Sequence, residues 1–218
     1  MSLTRRTFIT AVGASLIAGT GIAKVKTING VRYGMVHDET RCIGCNACVI
    51  ACRSVNQVPE SVTRLEIVRS KPIGEYPNIK YQFYRHSCQH CDNAPCIDVC
   101  PTGASFIDSS TGIVDVNSDK CVGCLYCVAA CPYRVRFVHP VKKSIDKCNF
   151  CRDTNLKAGR LPACVEACPR NALIFGNLDD PHSDISRLLN SKTIYRAKIH
   201  LGTGPKIYHI PFSRGVEL

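Results

Sequence analysis

The sequence predicts an α+β fold of small duplicated units, in which short hairpins and short helices are nucleated by cysteine ligands. Three observations lead there. Sixteen cysteines occur among 218 residues and fall into groups of four. The apolar core is thin, with 7% aromatic residues and no Trp. Turn and helix-stop signals recur throughout, which suits small units better than long elements.

The length allows one large domain or two small ones. So much cysteine is far above average usage, and a chain with so few large apolar side chains needs covalent or metal cross-links to hold it. The first group is Cys42, Cys45, Cys48 and Cys52, and the second is Cys88, Cys91, Cys96 and Cys100. The third is Cys121, Cys124, Cys127 and Cys131, and the fourth is Cys148, Cys151, Cys164 and Cys168. Groups one and three share C-x2-C-x2-C-x3-C. Their flanks match as well, Asp38-Glu39-Thr40-Arg41-Cys42-Ile43-Gly44-Cys45 against Asn117-Ser118-Asp119-Lys120-Cys121-Val122-Gly123-Cys124. Groups two and four share another ending, Pro95-Cys96-Ile97-Asp98-Val99-Cys100-Pro101 against Pro162-Ala163-Cys164-Val165-Glu166-Ala167-Cys168-Pro169. The chain is an internal repeat of the form A, B, A, B.

Strands are expected over Tyr33–His37, Val62–Val68 and Lys80–Tyr84. A hairpin is expected where Ser105–Ile107 and Ile113–Val116 flank Ser109-Ser110-Thr111-Gly112. The segments Val128–Cys131 and Val165–Cys168 suit short helices. Pro132 and Pro169 follow at once, and a helix does not continue easily through proline.

Cysteine at this density means disulfides, zinc or iron–sulfur clusters. Disulfides between neighbours in repeated C-x2-C triplets would force bridges into tight loops. Zinc uses C-x2-C knuckles too, but two knuckles already supply its four ligands, leaving a third close cysteine unexplained. A cubane cluster needs three thiolates from one wrapped loop and a fourth from elsewhere. In two-cluster ferredoxins the fourth cysteine of each C-x2-C-x2-C-x3-C-P run ligates the other cluster, and group three with Pro132 has that form. The spacing therefore points to four [4Fe–4S] clusters. No Cys-x-x-Cys-His occurs, so no c-type haem is expected on this chain.

The formal net charge is +11. Four oxidised sites would add about −8, each being a core of +2 with four thiolates, so nucleic acid is not an expected partner. No serine–histidine–acid signature, phosphate loop or dinucleotide fingerprint is present, which predicts electron transfer without a substrate site. His86 and His90 lie at or beside the second ligand loop, where local hydrogen bonding is the expected role. Arg53, Lys120, Arg134, Arg136 and Lys147 lie near ligands and could raise reduction potentials or simply face solvent.

Residues 1–23 read as a targeting segment. Thr4-Arg5-Arg6-Thr7-Phe8-Ile9-Thr10 precedes a weakly apolar run and resembles a twin-arginine signal, with Ile9 for Leu and Thr10 for Lys. The competing reading, a short membrane anchor, needs roughly 20 apolar residues, which the run does not supply. Small residues before and at Ala23 permit cleavage there. Folded export to the periplasm suits a protein whose thiols must meet iron before an oxidising compartment.

On these motifs the chain closely resembles the four-cluster iron–sulfur subunits of the molybdopterin-oxidoreductase superfamily. Within it, Asn29 to Asp38, Ser87-Cys88-Gln89-His90-Cys91, Cys131 to Phe137 and Phe175 to Pro181 resemble the Nrf-type protein of formate-dependent cytochrome c nitrite reduction. The resemblance implies nested pairing. Cys42, Cys45, Cys48 and Cys168 would hold cluster 1, and Cys52, Cys148, Cys151 and Cys164 cluster 2. Cys88, Cys91, Cys96 and Cys131 would hold cluster 3, and Cys100, Cys121, Cys124 and Cys127 cluster 4. It further implies a domain over 24–218, duplicated and bacterial-ferredoxin-like, with one cluster pair in 80–140 and the other in 36–58 plus 141–180. Expected partners are an integral membrane quinol-oxidising subunit and a multihaem c-type cytochrome, with the chain peripheral to the membrane and acting in anaerobic nitrite respiration. The alternative acceptor is a molybdoenzyme reducing thiosulfate, polysulfide or tetrathionate. A zinc-binding interaction module is the alternative of another class.

Overall fold

The computed structural model describes residues 31–212, so the expected targeting segment lies outside the described residues. The chain begins with β1 (Tyr33–Asp38), α1 (Ala47–Val55), β2 (Leu65–Arg69) and β3 (Phe83–Ser87). It continues through α2 (Pro95–Asp98), β4 (Ser105–Ile107), β5 (Val114–Val116), α3 (Tyr126–Ala129), β6 (Phe137–Val138) and β7 (Ile145–Asp146). The last part holds α4 (Ala163–Glu166), β8 (Leu173–Asn177), α5 (Asp184–Ser191) and β9 (Ile207–Ile210).

Two similar units emerge from this order. In one, β4 leaves group two and returns antiparallel as β5 into group three, with Ser105 opposite Val116. In the other, β8 leaves group four and pairs antiparallel with β1, which enters group one, with His37 opposite Leu173. The second hairpin is thus the first one opened: its two strands are neighbours in space and distant in sequence. Packing follows the same rule, with α2 on α3 in one unit and α1 on α4 in the other.

Most expected elements stand where the sequence puts them, with three shifts. The helices α3 and α4 end two residues before their last cysteine instead of including it, because the residue before a proline is driven out of the helical region. The strand expected from Val62 starts at Leu65, since the Thr63 hydroxyl donates locally to Leu65 O at 2.6 Å. The strand expected over Lys80–Tyr84 occupies Phe83–Ser87 and runs directly into Cys88, while Lys80 only bridges Ile73.

The sheet of β8 and β1 also takes β9 on its other side, parallel to β1, so this unit recruits residues well beyond 180. Alternation along β1 divides two cores. Met35 faces the cysteines with Ile207, while Val36 faces Ile185 of α5 on the outer side. Ser183 caps α5 by accepting from Ser186 N–H at 3.2 Å. The segment before β9 lies across the first unit. Asp92 N–H donates to Gly204 O at 2.9 Å, Asn93 N–H to Thr203 O at 3.0 Å and Lys206 N–H to Gln89 O at 2.8 Å. These bonds strap the carboxy-terminal part to the loop of group two. Among the described residues no helix is long and apolar enough to cross a membrane.

Candidate metal centre

The local geometry of the cysteine loops follows one rule. The second residue after the first cysteine of every group has positive φ: Gly44 at 70°, His90 at 49°, Gly123 at 68° and Phe150 at 54°. That turn curls the loop so that successive thiols converge and backbone N–H groups point inward, the nest arrangement that suits an anionic centre. Groups one and three repeat it at Asn46 and Leu125, with φ of 60° and 68°. Left-handed backbone at a branched residue such as Leu125 costs about 1–3 kcal/mol, and such strain clusters at functional sites.

Glycine is required to different degrees in the two matching loops. A Cβ on Gly44 would overlap Cε1 of Phe83, whereas on Gly123 the nearest atom is Lys143 O at 3.5 Å. Gly123→Ala should therefore cost only the backbone strain of about 1–2 kcal/mol. Gly44→Ala adds a ring clash and should bleach cluster absorbance distinctly faster in guanidinium. Equal bleaching rates would contradict the close approach of Phe83.

The final C-x3-C of each group lies along or just beyond a short helix. Four residues advance a helix by about 6 Å, so the two thiols reach different centres. The structure brings the sixteen thiols together as four sets. Cys42, Cys45, Cys48 and Cys168 line one cavity. Cys88, Cys91, Cys96 and Cys131 line a second, and Cys100, Cys121, Cys124 and Cys127 a third. Cys52 lies within reach of the charges of Cys148, Cys164 and Cys151, and burial, followed by those charges, raises its pKa strongly. All sixteen are free thiols.

Exposure differs between the sets. Cys52, Cys148, Cys151 and Cys164 are all buried, as are Cys88, Cys91, Cys96 and Cys131. The other two sets each contain one exposed member, Cys45 and Cys124. The two buried sets adjoin, since Cys148 is among the charges that act on Cys88. His90 and Phe150 meet between those two loops, with ring centroids 3.7 Å apart and an interplanar angle of 20°.

The surroundings suit an iron–sulfur centre. Burial pushes the Cys91 thiol up to about 12, Cys96 to about 11 and Cys164 to about 12, so these groups resist becoming thiolates without a cation among them. N–H groups already address the sulfurs: Ser105 N to Cys100 Sγ at 3.4 Å, Ile145 N to Cys121 Sγ at 3.5 Å and Ala172 N to Cys168 Sγ at 3.2 Å. The Asn56 amide reaches Cys151 Sγ at 3.3 Å. Such bonds stabilise thiolate and cluster charge and help set the potential.

Of the basic residues flagged by the sequence, Arg136 and Lys147 are buried, with Lys147 donating to the carbonyls of Val114 and Cys148. Lys120 and Arg134 are exposed, and Arg53 donates to Pro59 O at 2.5 Å in the loop that follows its helix. His86 donates to Tyr133 O at 2.8 Å. His90 is fully buried with neither ring nitrogen hydrogen-bonded. Sequence reasoning missed Arg85, which is 2% exposed and lies among Cys164, Cys148, Cys48 and Cys52. It also missed His37, which lines the cavity of Cys42. Burial, followed by His209 and Arg85, lowers the His37 pKa to about 3. The one available signal was alternation, which turns both residues inward on their strands.

Two family profiles described as 4Fe-4S dicluster domains match the chain, over residues 79–178 and 41–104. The chain is 66% identical over 219 residues to the protein NrfC of Escherichia coli strain K12, covering 99% of this chain and 98% of that protein. It is 53% identical to the B subunit of the polysulfide reductase of Wolinella succinogenes, over 84% of this chain and 96% of that one. The thiosulfate reductase electron transfer subunit PhsB of Salmonella typhi is 52% identical, over 76% of this chain and 85% of that protein. Sixteen converging free thiols and these likenesses have one common meaning: the chain belongs to the family of ferredoxin-type [4Fe–4S] electron-transfer subunits that includes NrfC.

Proposed function

We propose that this chain is a periplasmic relay that carries electrons through four [4Fe–4S] clusters in a row, from a quinol-oxidising membrane subunit to a terminal reductase. The observation that carries the reading is the exposure pattern of the thiols. Two wholly buried sets adjoin each other, and each also neighbours a set that presents one thiol to solvent, Cys45 in one and Cys124 in the other. An electron can enter and leave only where a centre approaches the surface, so the outer sets are the ports. In this reading Cys42, Cys45, Cys48 and Cys168 hold cluster 1, and Cys52, Cys148, Cys151 and Cys164 hold cluster 2. Cys88, Cys91, Cys96 and Cys131 hold cluster 3, and Cys100, Cys121, Cys124 and Cys127 hold cluster 4. Each bound cluster supplies one-electron exchange at a tunable potential. The protein excludes water from the inner pair and directs N–H groups at the sulfurs. The internal ferredoxin unit spans about residues 80–140, and the other joins 36–58 with 141–180 and adds β9 to its sheet.

The identity of 66% to NrfC favours a cytochrome c nitrite reductase as terminal acceptor. The likeness to the polysulfide and thiosulfate reductase subunits supports a second reading, the same relay serving a molybdenum enzyme. Deleting the gene should abolish quinol-driven nitrite reduction under the first reading, and quinol-driven reduction of the sulfur compound under the second.

Anaerobic purification from the periplasmic fraction tests the core of the proposal. About sixteen iron and sixteen acid-labile sulfide per chain are expected, as four cubane clusters require. Zinc with negligible sulfide would establish the interaction-module alternative instead. In the same fractionation, replacing Arg5 and Arg6 by Lys should retain the folded protein in the cytoplasm, and undiminished export would overturn the twin-arginine route.

A further inference from the structure

We infer that Arg85 and Arg136 are paired cationic bridges, one at each seam between an outer cluster and its inner neighbour, and that they raise the reduction potentials of the clusters they separate. This rests on the four-cluster reading proposed above.

The two side chains share an arrangement. Arg85 is 2% exposed and Arg136 is 5% exposed. Each is anchored by a serine hydroxyl, Arg85 Nε to Ser87 Oγ at 2.9 Å and Arg136 Nη1 to Ser105 Oγ at 2.9 Å. Each then reaches thiols of two sets. Arg85 Nη2 lies 3.7 Å from Cys148 Sγ, and its charge also acts on Cys164 and Cys52 of that set and on Cys48 of the outer one. Arg136 lines the cavity of Cys88, Cys96 and Cys131, while its partner Ser105 lines the neighbouring cavity, and its charge also acts on Cys127 of that neighbouring set. On each guanidinium one nitrogen, Nη1 of Arg85 and Nη2 of Arg136, is buried without an acceptor. Among the described residues, neither is paired with a carboxylate.

A buried, unpaired cation is costly, so its compensating charge has to come from what the thiols hold. Each oxidised cluster with its thiolates carries about −2, and reduction makes it more negative. A fixed positive charge at the edge of two such centres stabilises the reduced form of both, strongly so where water is excluded. Arginine stays protonated at any pH the protein survives, so the effect does not titrate away. The repeat does not explain the pairing. Arg85 lies on β3 before group two, whereas Arg136 follows group three, so equivalent places are filled from unrelated points in the chain.

The test is a spectroelectrochemical titration of the holoprotein, with iron and sulfide measured on every sample. In Arg85→Met two of the four midpoint potentials should fall and two should stay. In Arg136→Met the other two should fall. Arg85→Lys keeps the charge and should hold its potentials near wild type. Unmoved potentials, or a uniform shift of all four, would overturn the inference while leaving the four-cluster reading intact. A wild-type protein without four clusters would instead remove the reading itself. Should Arg85→Met lose iron, Arg85→Lys decides: a full iron complement with near wild-type potentials supports the bridging charge, and lost iron or a large drop refutes it.

Discussion

Replacing Cys52 by Ala will open Cys148, Cys151 and Cys164 to alkylation and will leave Cys88, Cys91 and Cys96 protected. The reason lies in where α1 points. Its Cys48 belongs to the outer set with Cys42, while Cys52, one turn further along, turns toward the thiols of group four. Asn56 continues that line, its amide reaching Cys151 Sγ at 3.3 Å. A cluster deprived of one thiolate is easily lost, and its three remaining ligands become nucleophiles. Anaerobic alkylation with mass mapping of the peptides should show those three sites going from near-complete protection to near-complete labelling. Cys168→Ala should release Cys42, Cys45 and Cys48 in the same way. Under sequential pairing, where group one shares its clusters with group two, Cys52→Ala would label group two instead. That result would sink the nested arrangement, although total iron would be the same under either pairing.

Removing the iron will cost the chain its cooperative fold. The larger core contains Cys48, Cys52, Cys88, Cys148 and Cys164 among its twelve buried members, and the second contains Cys91, Cys96, Cys127 and Cys131 among eight. Nearly half of what packs in these cores is therefore ligand. Without the metal, buried thiols replace a rigid four-way link, and metal-binding energy of this kind is folding energy. Chelation under anaerobic, reducing conditions should abolish the cooperative melting transition and the amide protection of β1, β8 and β9. An iron-free chain that still melted sharply would refute this. Any structure that remains should be sensitive to alkali. The folded pKa of Cys91 is about 12 and that of Cys164 about 12, against an ordinary 9.0. Folding thus favours the protonated thiols, so their contribution is complete below pH 9 and disappears as pH rises toward 12.

What was legible in the sequence is what depends on neighbouring residues. Two residues between cysteines set a loop radius, and three set a helical turn, so the quartets could be read without coordinates. Ser109 to Gly112 closed a hairpin for the same reason, with Gly112 at φ 67°. Pro132 and Pro169 marked helix ends, though the bias on the preceding residue moved the stops earlier than expected.

The resemblance to known subunits, supported by the ferredoxin-like spacing from Cys88 to Cys131, suggested which quartets share clusters. Geometry supplied a physical account, an opened hairpin that places β8 beside β1 across most of the chain. The sequence by itself determined that the protein is built on four cysteine quartets in an A, B, A, B repeat and is made to carry electrons. Tertiary structure alone decided which thiols are buried and which reach solvent, that β9 joins β1, and that Arg85 sits among four cysteines. The division has one physical cause. Ligand spacing is a local property of a short loop, whereas burial and charge placement arise only when segments far apart in the chain exclude water from the same space.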